Sequence, residues 1–171
     1  MYGLTGHTQG IGLAIYDKLK PNVLGFSRSN GFDITKKDNR CRIIDLVNDC
    51  SVFINNAHAD YAQVDMLIEL FHDWKDKQKI IINIGSQITD RKLSERGLYL
   101  LDYAAQKRAL KSIIDDMQGY NCAVLYVQFG YVGTDRILTK YPNLTAHDYI
   151  SVQSAVHAIL DKIDQNAISV P

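Results

Sequence analysis

Hydrophobic residues occur along the chain in two alternating patterns. Short continuous apolar runs bounded by Gly, Asn or Asp are typical of buried strands, whereas longer stretches with apolar residues three and four positions apart are typical of helices. The runs predict strands at Met1–Thr5, Asn22–Phe26, Phe32–Ile34, Ser51–Asn55, Ile80–Gly85, Ala123–Phe129 and Ile168–Val170. The longer stretches predict helices at Ile11–Leu19, Asn39–Asp49, Ala62–Lys75, Leu98–Met117 and Ser154–Asp164.

The regular succession of strands and helices predicts an α/β fold built from βαβ units. Crossovers between parallel strands are right-handed, so the helices must cover both faces of the sheet. Only a few residues separate Arg28 from Asp33, and the helix between predicted strands 2 and 3 is therefore lacking. We expect a single doubly wound Rossmann-type domain over residues 1–171, with a mainly parallel sheet.

Composition and charge narrow the possible partners. The 171 residues contain 19 Lys plus Arg and 19 Asp plus Glu, so no overall field attracts nucleic acid, and no such partner is expected. Cys41, Cys50 and Cys122 lack the spacing of metal ligands, which predicts free thiols in a reducing compartment and no metal site. No leader-like segment is seen, nor an apolar run near the roughly 20 residues that cross a bilayer. We expect a cytoplasmic protein without a membrane partner.

A glycine-rich turn follows the first predicted strand and opens the first predicted helix. It reads Thr5-Gly6-His7-Thr8-Gln9-Gly10-Ile11-Gly12. A dinucleotide pyrophosphate binds to backbone N–H groups at such a helix start, where a β-carbon would block its approach. Gly6 is expected to make the turn, Gly10 to admit the phosphates and Gly12 to let helix and strand pack closely. The predicted cofactor-binding residues of this turn are Gly6, Thr8, Gln9, Gly10, Ile11 and Gly12.

The spacing Thr-Gly-x-x-x-Gly-x-Gly resembles that of the short-chain dehydrogenase/reductase family. Later segments continue the resemblance in the family's order along the chain: Asn55-Asn56-Ala57, Ser86 at the end of a strand, Tyr103-x-x-x-Lys107, and Gly130-x-Val132-x-Thr134. A second Tyr-x-x-x-Lys, Tyr16 to Lys20, falls on the first helix, where the family has no catalytic group. The chain is identified as a shortened member of this family.

The resemblance implies a reversible hydride transfer between a nicotinamide and a small-molecule carbonyl or alcohol. Ser86, Tyr103 and Lys107 are the implied catalytic residues. Ser86 would orient the substrate oxygen, Tyr103 would exchange its proton, and Lys107 would lower the pKa of Tyr103 and bind the nicotinamide ribose. Asn56 and Ala57 would line that ribose. The nicotinamide carboxamide and the pyrophosphate would contact Gly130, Val132 and Thr134.

The residues after the second strand bear on the choice of nucleotide. Ser27 and Arg28 stand where an acid would bind the adenosine ribose of NAD, and a guanidinium there accommodates the 2′-phosphate of NADP. We therefore expect NADP(H), with NAD(H) as the alternative, although Gln9 stands where many NADP-using relatives carry a basic residue. Asp33 and Ile34 resemble the pair that meets the adenine in the family.

The chain departs from the family pattern at several places. His58 replaces a glycine, and we interpret it as a loop histidine, with crowding of the nicotinamide as the alternative. No counterpart exists for the asparagine that completes the catalytic set of many relatives. Asp60, Tyr61 and Asp65 are candidates to replace it. The segment Asp135–Asp148 is short and contains Pro142, which predicts an open pocket.

Two further expectations concern function and assembly. The missing asparagine and His58 leave open a non-catalytic NADP(H)-binding module, such as a redox sensor or regulatory subunit. Relatives usually pair through the helices that correspond to Ala62–Lys75 and Leu98–Met117. A homodimer or homotetramer is therefore expected.

Overall fold

A five-stranded parallel sheet forms the centre of the molecule in the computed structural model, which describes residues 1–92 and 97–167. Its strands follow one another in the order β2-β1-β3-β4-β5. Along the chain they are β1 (Tyr2–Thr5), β2 (Val23–Phe26), β3 (Val52–Asn55), β4 (Ile80–Ser86) and β5 (Ala123–Phe129). All neighbouring pairs run parallel, as the sequence predicts.

Helices connect the strands, and a small second sheet follows β5. The helices are α1 (Gly10–Leu19), α2 (Lys37–Leu46), α3 (Ala62–Trp74), α4 (Leu101–Asp116), α5 (Asp135–Lys140) and α6 (Val152–Ala167). Two short parallel strands, β6 (Tyr131–Val132) and β7 (Tyr149–Ile150), pair beside the main sheet. In the described part of the chain, none of the helices has the length and apolar character that a membrane crossing requires.

Helices cover both faces of the sheet because successive strand residues point to opposite sides. Ile81 of β4 packs into the core under α2, α3 and α4, while its neighbour Ile82 packs into the core under α1 and α6. Strands buried on both faces must be apolar at almost every position, which explains the continuous runs in the sequence. The predicted doubly wound α/β architecture is confirmed.

The predicted short strand at Phe32–Ile34 is wrong. Ile34 is buried and Phe32 packs edge-on against Phe26, but the segment pairs with no strand. Instead, Asp33 Oδ1 accepts hydrogen bonds from the backbone N–H and the hydroxyl of Thr35, which turns the chain toward α2. Such an aspartate turn competes with strand pairing. The sequence predicts that no helix follows β2, and the structure has only a 3₁₀ turn there, at Arg28–Asn30.

The other differences lie at element ends and after β5. The helix predicted at Asn39–Asp49 spans Lys37–Leu46, and the one predicted at Leu98–Met117 is a 3₁₀ turn, Leu98–Leu100, followed by α4. Helix α5 and the β6–β7 pair were not predicted. The strand predicted at Ile168–Val170 lies outside the described residues.

The strand order places a crevice between β1 and β3. The chain leaves β1 toward β2 on one side and later returns to add β3 on the other side of β1. At such a switch point the connections diverge at the carboxyl ends of the strands, where α/β proteins bind ligands. The glycine-rich turn follows β1, and Asn56 follows β3.

Candidate active site

The turn between β1 and α1 depends on glycine for its shape. Gly6 and Gly10 have positive φ angles of 73° and 55°, which glycine adopts without strain. A β-carbon on Gly12 would lie 2.0 Å from the carbonyl oxygen of Gly6, so α1 could not start this close to β1 with any larger residue. The turn therefore leaves its backbone accessible along the crevice.

Thr5 and Asn56 tie this turn to the end of β3. The buried Thr5 hydroxyl accepts hydrogen bonds from the backbone N–H groups of Asn56 and Ala57, at 3.0 Å each. The Asn56 side chain donates in return to the carbonyl oxygens of Thr5 and Gly6. These contacts give the two sides of the crevice one fixed geometry.

Two adjoining clefts meet in this crevice and share Ile11, Asn56, His58, Thr134 and Arg136. The first, here called the reaction cleft, has a volume of about 600 Å³, and the second, the nucleotide groove, has about 1000 Å³. All predicted site residues line one or both. In the groove are Gly6, Thr8, Gln9, Gly10, Ile11, Gly12, Ser27, Arg28, Asp33, Ile34, Asn56, Ala57 and Thr134. In the reaction cleft are Ser86, Tyr103, Lys107, Gly130 and Val132.

Ser86 and Tyr103 face each other across the reaction cleft. Ser86 ends β4 and Tyr103 lies in the first turn of α4, and both side chains line this cleft. Burial raises the pKa of Tyr103, and the Ser86 hydroxyl and the Arg136 guanidinium oppose that rise. Lys107 Nζ lies 5.8 Å from the centroid of the Tyr103 ring and donates its hydrogen bonds elsewhere, so its effect on this pKa stays a prediction.

Gln63 is the main site residue that sequence reasoning missed. It lies in the first turn of α3, and its Oε1 accepts a hydrogen bond from Lys107 Nζ at 2.6 Å. Of the three residues considered as replacements for the absent asparagine, Asp60 and Tyr61 are exposed, and Asp65 pairs with Arg40 at 3.7 Å. A search of the helix after Asn56 for any amide side chain would have found Gln63.

His58 lies in the wall of the reaction cleft. Its imidazole packs edge-on against the Tyr103 ring, so the histidine is part of the site as well as of a loop. The residue as a whole is exposed at the edge of the cleft, and the partial desolvation of its ring there, together with the positive charges of Lys107 and Arg136, lowers the pKa of His58 to about 4. The ring is therefore neutral at neutral pH.

The second Tyr-x-x-x-Lys lies apart from both clefts. Tyr16 packs against His7, and Lys20 Nζ lies over the Tyr16 ring while it pairs with Asp17 at 2.8 Å. This pair lies on the surface at the end of α1. Among residues 1–92 and 97–167, no group of His, Cys, Asp and Glu side chains has an arrangement that could hold a metal ion.

Known proteins match this chain through structure. No protein-family model matches it, and no curated protein matches it significantly. A short-chain dehydrogenase from Burkholderia cenocepacia in complex with NADP has 17% identity and a TM-score of 0.76, and the match covers 95% of this chain and 83% of that one. The chain has the fold of the short-chain dehydrogenases/reductases. This match confirms the fold that the resemblance of the motifs implied.

Further short-chain dehydrogenase/reductase structures have the same fold as this chain. One of unknown function from Caenorhabditis elegans, solved with cofactor, has 19% identity and a TM-score of 0.76, covering 96% of this chain and 88% of that one. A 3-alpha-hydroxysteroid dehydrogenase from Pseudomonas, complexed with NADH, has 16% identity and a TM-score of 0.73, covering 93% and 87%.

Proposed function

We propose that this protein is a cytoplasmic NADP(H)-dependent oxidoreductase that transfers hydride reversibly between the nicotinamide and a small-molecule carbonyl or alcohol. The placement of Ser86 and Tyr103 carries this proposal, because it brings two hydroxyl groups together in a cleft that continues into the nucleotide groove. The same fold holds NADP in the Burkholderia protein and NADH in the Pseudomonas enzyme.

The residues of the groove fit a dinucleotide. A β-carbon on Gly10 would lie 3.2 Å from Thr134 Cγ2, a tight contact, so a larger residue would narrow the groove between the two residues. The glycine-rich turn and the start of α1 would hold the pyrophosphate, and Lys107 would bind the nicotinamide ribose. When bound, the cofactor supplies or accepts the hydride.

The side chains of the reaction cleft handle the proton. In reduction, Tyr103 Oη donates its proton to the carbonyl oxygen while hydride reaches the carbonyl carbon, and Ser86 Oγ donates a hydrogen bond to the same oxygen. Because burial raises the pKa of Tyr103, the phenol keeps its proton at neutral pH and is ready to act as the acid. Well-placed acid–base catalysis contributes about 10²- to 10⁴-fold to the rate.

The preference for NADP(H) over NAD(H) rests on the adenosine end of the groove. Arg28 is exposed there beside the hydroxyl of Ser27. Asp33 also lines this end, but its Oδ1 already accepts two hydrogen bonds from Thr35. A 2′-phosphate would pair with the exposed guanidinium, whereas a ribose hydroxyl would gain nothing from that positive charge.

A homodimer or homotetramer is part of the proposal. Apolar side chains stand exposed at the start of α4, where Leu98 and Tyr99 are each 72% exposed and Leu101 is 40% exposed. A contact through this helix and α3 would cover them. Sedimentation velocity on the purified protein tests the assembly, and a Leu101→Glu variant with unchanged sedimentation would count against this interface.

Replacement of Tyr103 tests the proposed chemistry. NADPH oxidation is followed with aldehydes, ketones and quinones, while binding of NADPH is measured separately by calorimetry. We expect Tyr103→Phe to abolish turnover and to leave NADPH binding within about twofold, since only the exchangeable proton is lost. Tyr16→Phe, in the second Tyr-x-x-x-Lys, is the matched control and should keep full turnover.

The same experiment separates an enzyme from the rival non-catalytic module. A protein that binds NADPH tightly but oxidises it with none of these substrates would be a sensor or regulatory subunit. Turnover that survives in Tyr103→Phe would reject Tyr103 as the acid. The ordered contact between Ser86 and Tyr103 favours the enzyme, because a binding module has no use for it.

A further inference from the structure

Lys107 occupies a buried position in which its hydrogen-bond acceptors are neutral. The residue is 3% exposed, and Nζ donates to Gln63 Oε1 at 2.6 Å and to the Ile84 carbonyl oxygen at 2.9 Å. Among residues 1–92 and 97–167, no carboxylate forms an ion pair with it. A buried ammonium without a counter-charge depends on such acceptors for its position and its charge.

The Gln63 carboxamide is itself held in one orientation. The residue is 1% exposed, and Nε2 donates to the carbonyl oxygens of Asn55 at 2.7 Å and Ile84 at 3.1 Å. A flipped amide would set its oxygen against two carbonyl oxygens and its NH₂ group against an ammonium, and both contacts are repulsive. Oε1 must therefore face Lys107.

A wider network anchors this amide to the sheet. Asn55 Nδ2 donates to the backbone oxygen of Gln63 and to Asn83 Oδ1, at 2.9 Å each. Asn83 in turn donates to the Leu125 carbonyl oxygen, at 3.2 Å. The chain of contacts links β3, β4 and β5 to the first turn of α3, so Gln63 stands on a rigid base.

We propose that Gln63 is a positioning residue: its carboxamide oxygen holds the Lys107 ammonium in place and keeps it charged within the reaction cleft. This inference rests on the proposed function, because it assigns the residue that prepares Lys107 for that chemistry. An ammonium has three N–H donors. Two are taken by Gln63 and Ile84, which leaves one for a hydroxyl group of a bound molecule.

A neutral amide at this position suits the site better than a carboxylate would. A carboxylate at position 63 would compensate the positive charge of the Lys107 ammonium. The amide orients the ammonium and leaves that charge uncompensated. Among the described residues, Tyr103 on the same helix and His58 from the loop after β3 are titratable groups that face Lys107. Burial lowers the pKa of Lys107 to about 7, so its charge at neutral pH depends on each remaining contact.

The test compares two variants that damage the same buried network. Gln63→Met removes the acceptor for Lys107 and also removes the Gln63 Nε2 donor from the Asn55 and Ile84 carbonyl oxygens, the second of which still accepts from Lys107. Asn83→Leu breaks the neighbouring contacts and spares the hydrogen bond to Lys107. Thermal midpoints of both variants show the structural damage, and a purely structural role for Gln63 predicts the same behaviour for both.

The decisive readout is the titration of Lys107 itself, followed by NMR of protein with ¹³C-labelled lysine and assigned with Lys107→Met. We expect Gln63→Met to lower the pKa of Lys107 by about one pH unit or more, because a hydrogen bond to the charged form is lost. Asn83→Leu keeps the hydrogen bond between Lys107 and Gln63 and should change that pKa much less. Equal titration of Lys107 in the wild type and Gln63→Met would overturn the proposal, whatever the activity.

Kinetics with NADPH and 4-nitrobenzaldehyde give the second readout. At pH 7.5, Gln63→Met should lose about tenfold in kcat, and part of the loss should return at lower pH, where Lys107 regains its proton. Asn83→Leu should show no such recovery. A pH profile of Gln63→Met parallel to that of the wild type would also overturn the proposal. A wild-type protein that reduces no carbonyl compound would instead refute the proposed function, and the NMR titration would still decide the role of Gln63.

Discussion

The imidazole of His58 packs edge-on against the phenol ring of Tyr103, with the ring centroids 4.9 Å apart and the planes at 87°. Aromatic pairs in this geometry contribute about 0.5–1.5 kcal/mol beyond the burial of their surface. The residue that stands in place of the family's glycine thus supports the proposed acid. Because the pKa of His58 is lowered to about 4, the pair does not carry an imidazolium charge at neutral pH.

The lowered pKa of His58 predicts a pH-dependent stability. The unfolded chain takes up the proton near the ordinary pKa of 6.5, whereas the folded protein resists it down to about pH 4. The free energy of unfolding should therefore fall across this window as the pH is lowered. Urea titrations of the wild type and His58→Asn at pH 7 and pH 5 measure it.

The free energy of unfolding of His58→Asn should fall less than that of the wild type between pH 7 and pH 5. His157→Asn, at an exposed histidine that lies 3.3 Å from Asp161, is the matched control. It should follow the wild type more closely than His58→Asn does. The same loss in the wild type and His58→Asn would contradict the depressed pKa.

The close contact between Gly12 and Gly6 predicts a sharp intolerance. Gly12→Ala would place a methyl group 2.0 Å from the Gly6 carbonyl oxygen, so the start of α1 must move away from β1. We expect at least a tenfold weaker binding of NADPH by calorimetry and a lower thermal midpoint, because overpacking of this kind typically costs about 1–3 kcal/mol. Gly119→Asn, at a positive φ with open space around it, should bind NADPH normally.

The framework of the fold could be predicted because helices pack on both faces of the sheet. The apolar runs at Ile80–Gly85 and Ala123–Phe129 pack against helices on both sides, so their hydrophobicity indicates their place in the sheet directly. The strand predicted at Phe32–Ile34 was wrong because the apolar residues of this segment pack without strand pairing, while the Asp33 side chain forms a turn. The hydrophobic pattern indicates which residues are buried, but it does not indicate which backbone groups form hydrogen bonds with another strand.

The candidate site could be predicted where a motif has fixed spacing along the chain. The glycine-rich turn and Tyr103 to Lys107 are local patterns, and the structure brings their residues into adjoining clefts. The contact of Gln63 with Lys107 joins residues 44 positions apart, and no local pattern indicates it. The burial that raises the pKa of Tyr103 is likewise a property of the packed cleft.

Arg28 predicts the nucleotide preference. Arg28→Gln should raise the Kd for NADPH about tenfold to a hundredfold, since a charge-assisted contact to the 2′-phosphate is lost, and should leave the Kd for NADH nearly unchanged. Calorimetry with both cofactors measures the effect. Lys18→Gln, on an exposed position of α1 outside the groove, controls for the loss of one positive charge. Tighter binding of NADH than NADPH by the wild type would contradict the assignment.

Helix α5 presents positive charge to the reaction cleft. Arg136 and Lys140, four residues apart, line it together with Ile137 and Tyr141. Among the described residues that line this cleft there is no Asp or Glu, although the whole chain carries no net charge. An anionic group on a carbonyl substrate would therefore be attracted here.

Two matched aldehydes test this attraction. We expect a lower KM for 4-carboxybenzaldehyde than for its uncharged methyl ester, and we expect added salt to narrow the difference. Arg136→Gln and Lys140→Gln should each raise the KM for the acid about two- to fivefold, the range of exposed ion pairs, and should leave the KM for the ester nearly unchanged. Because Arg136 also borders the nucleotide groove, the Kd for NADPH of each variant is measured in parallel. Equal KM values of the wild type for the acid and the ester would show that these charges do not select the substrate. A variant that weakens only the binding of NADPH would show that the replaced cation contacts the cofactor.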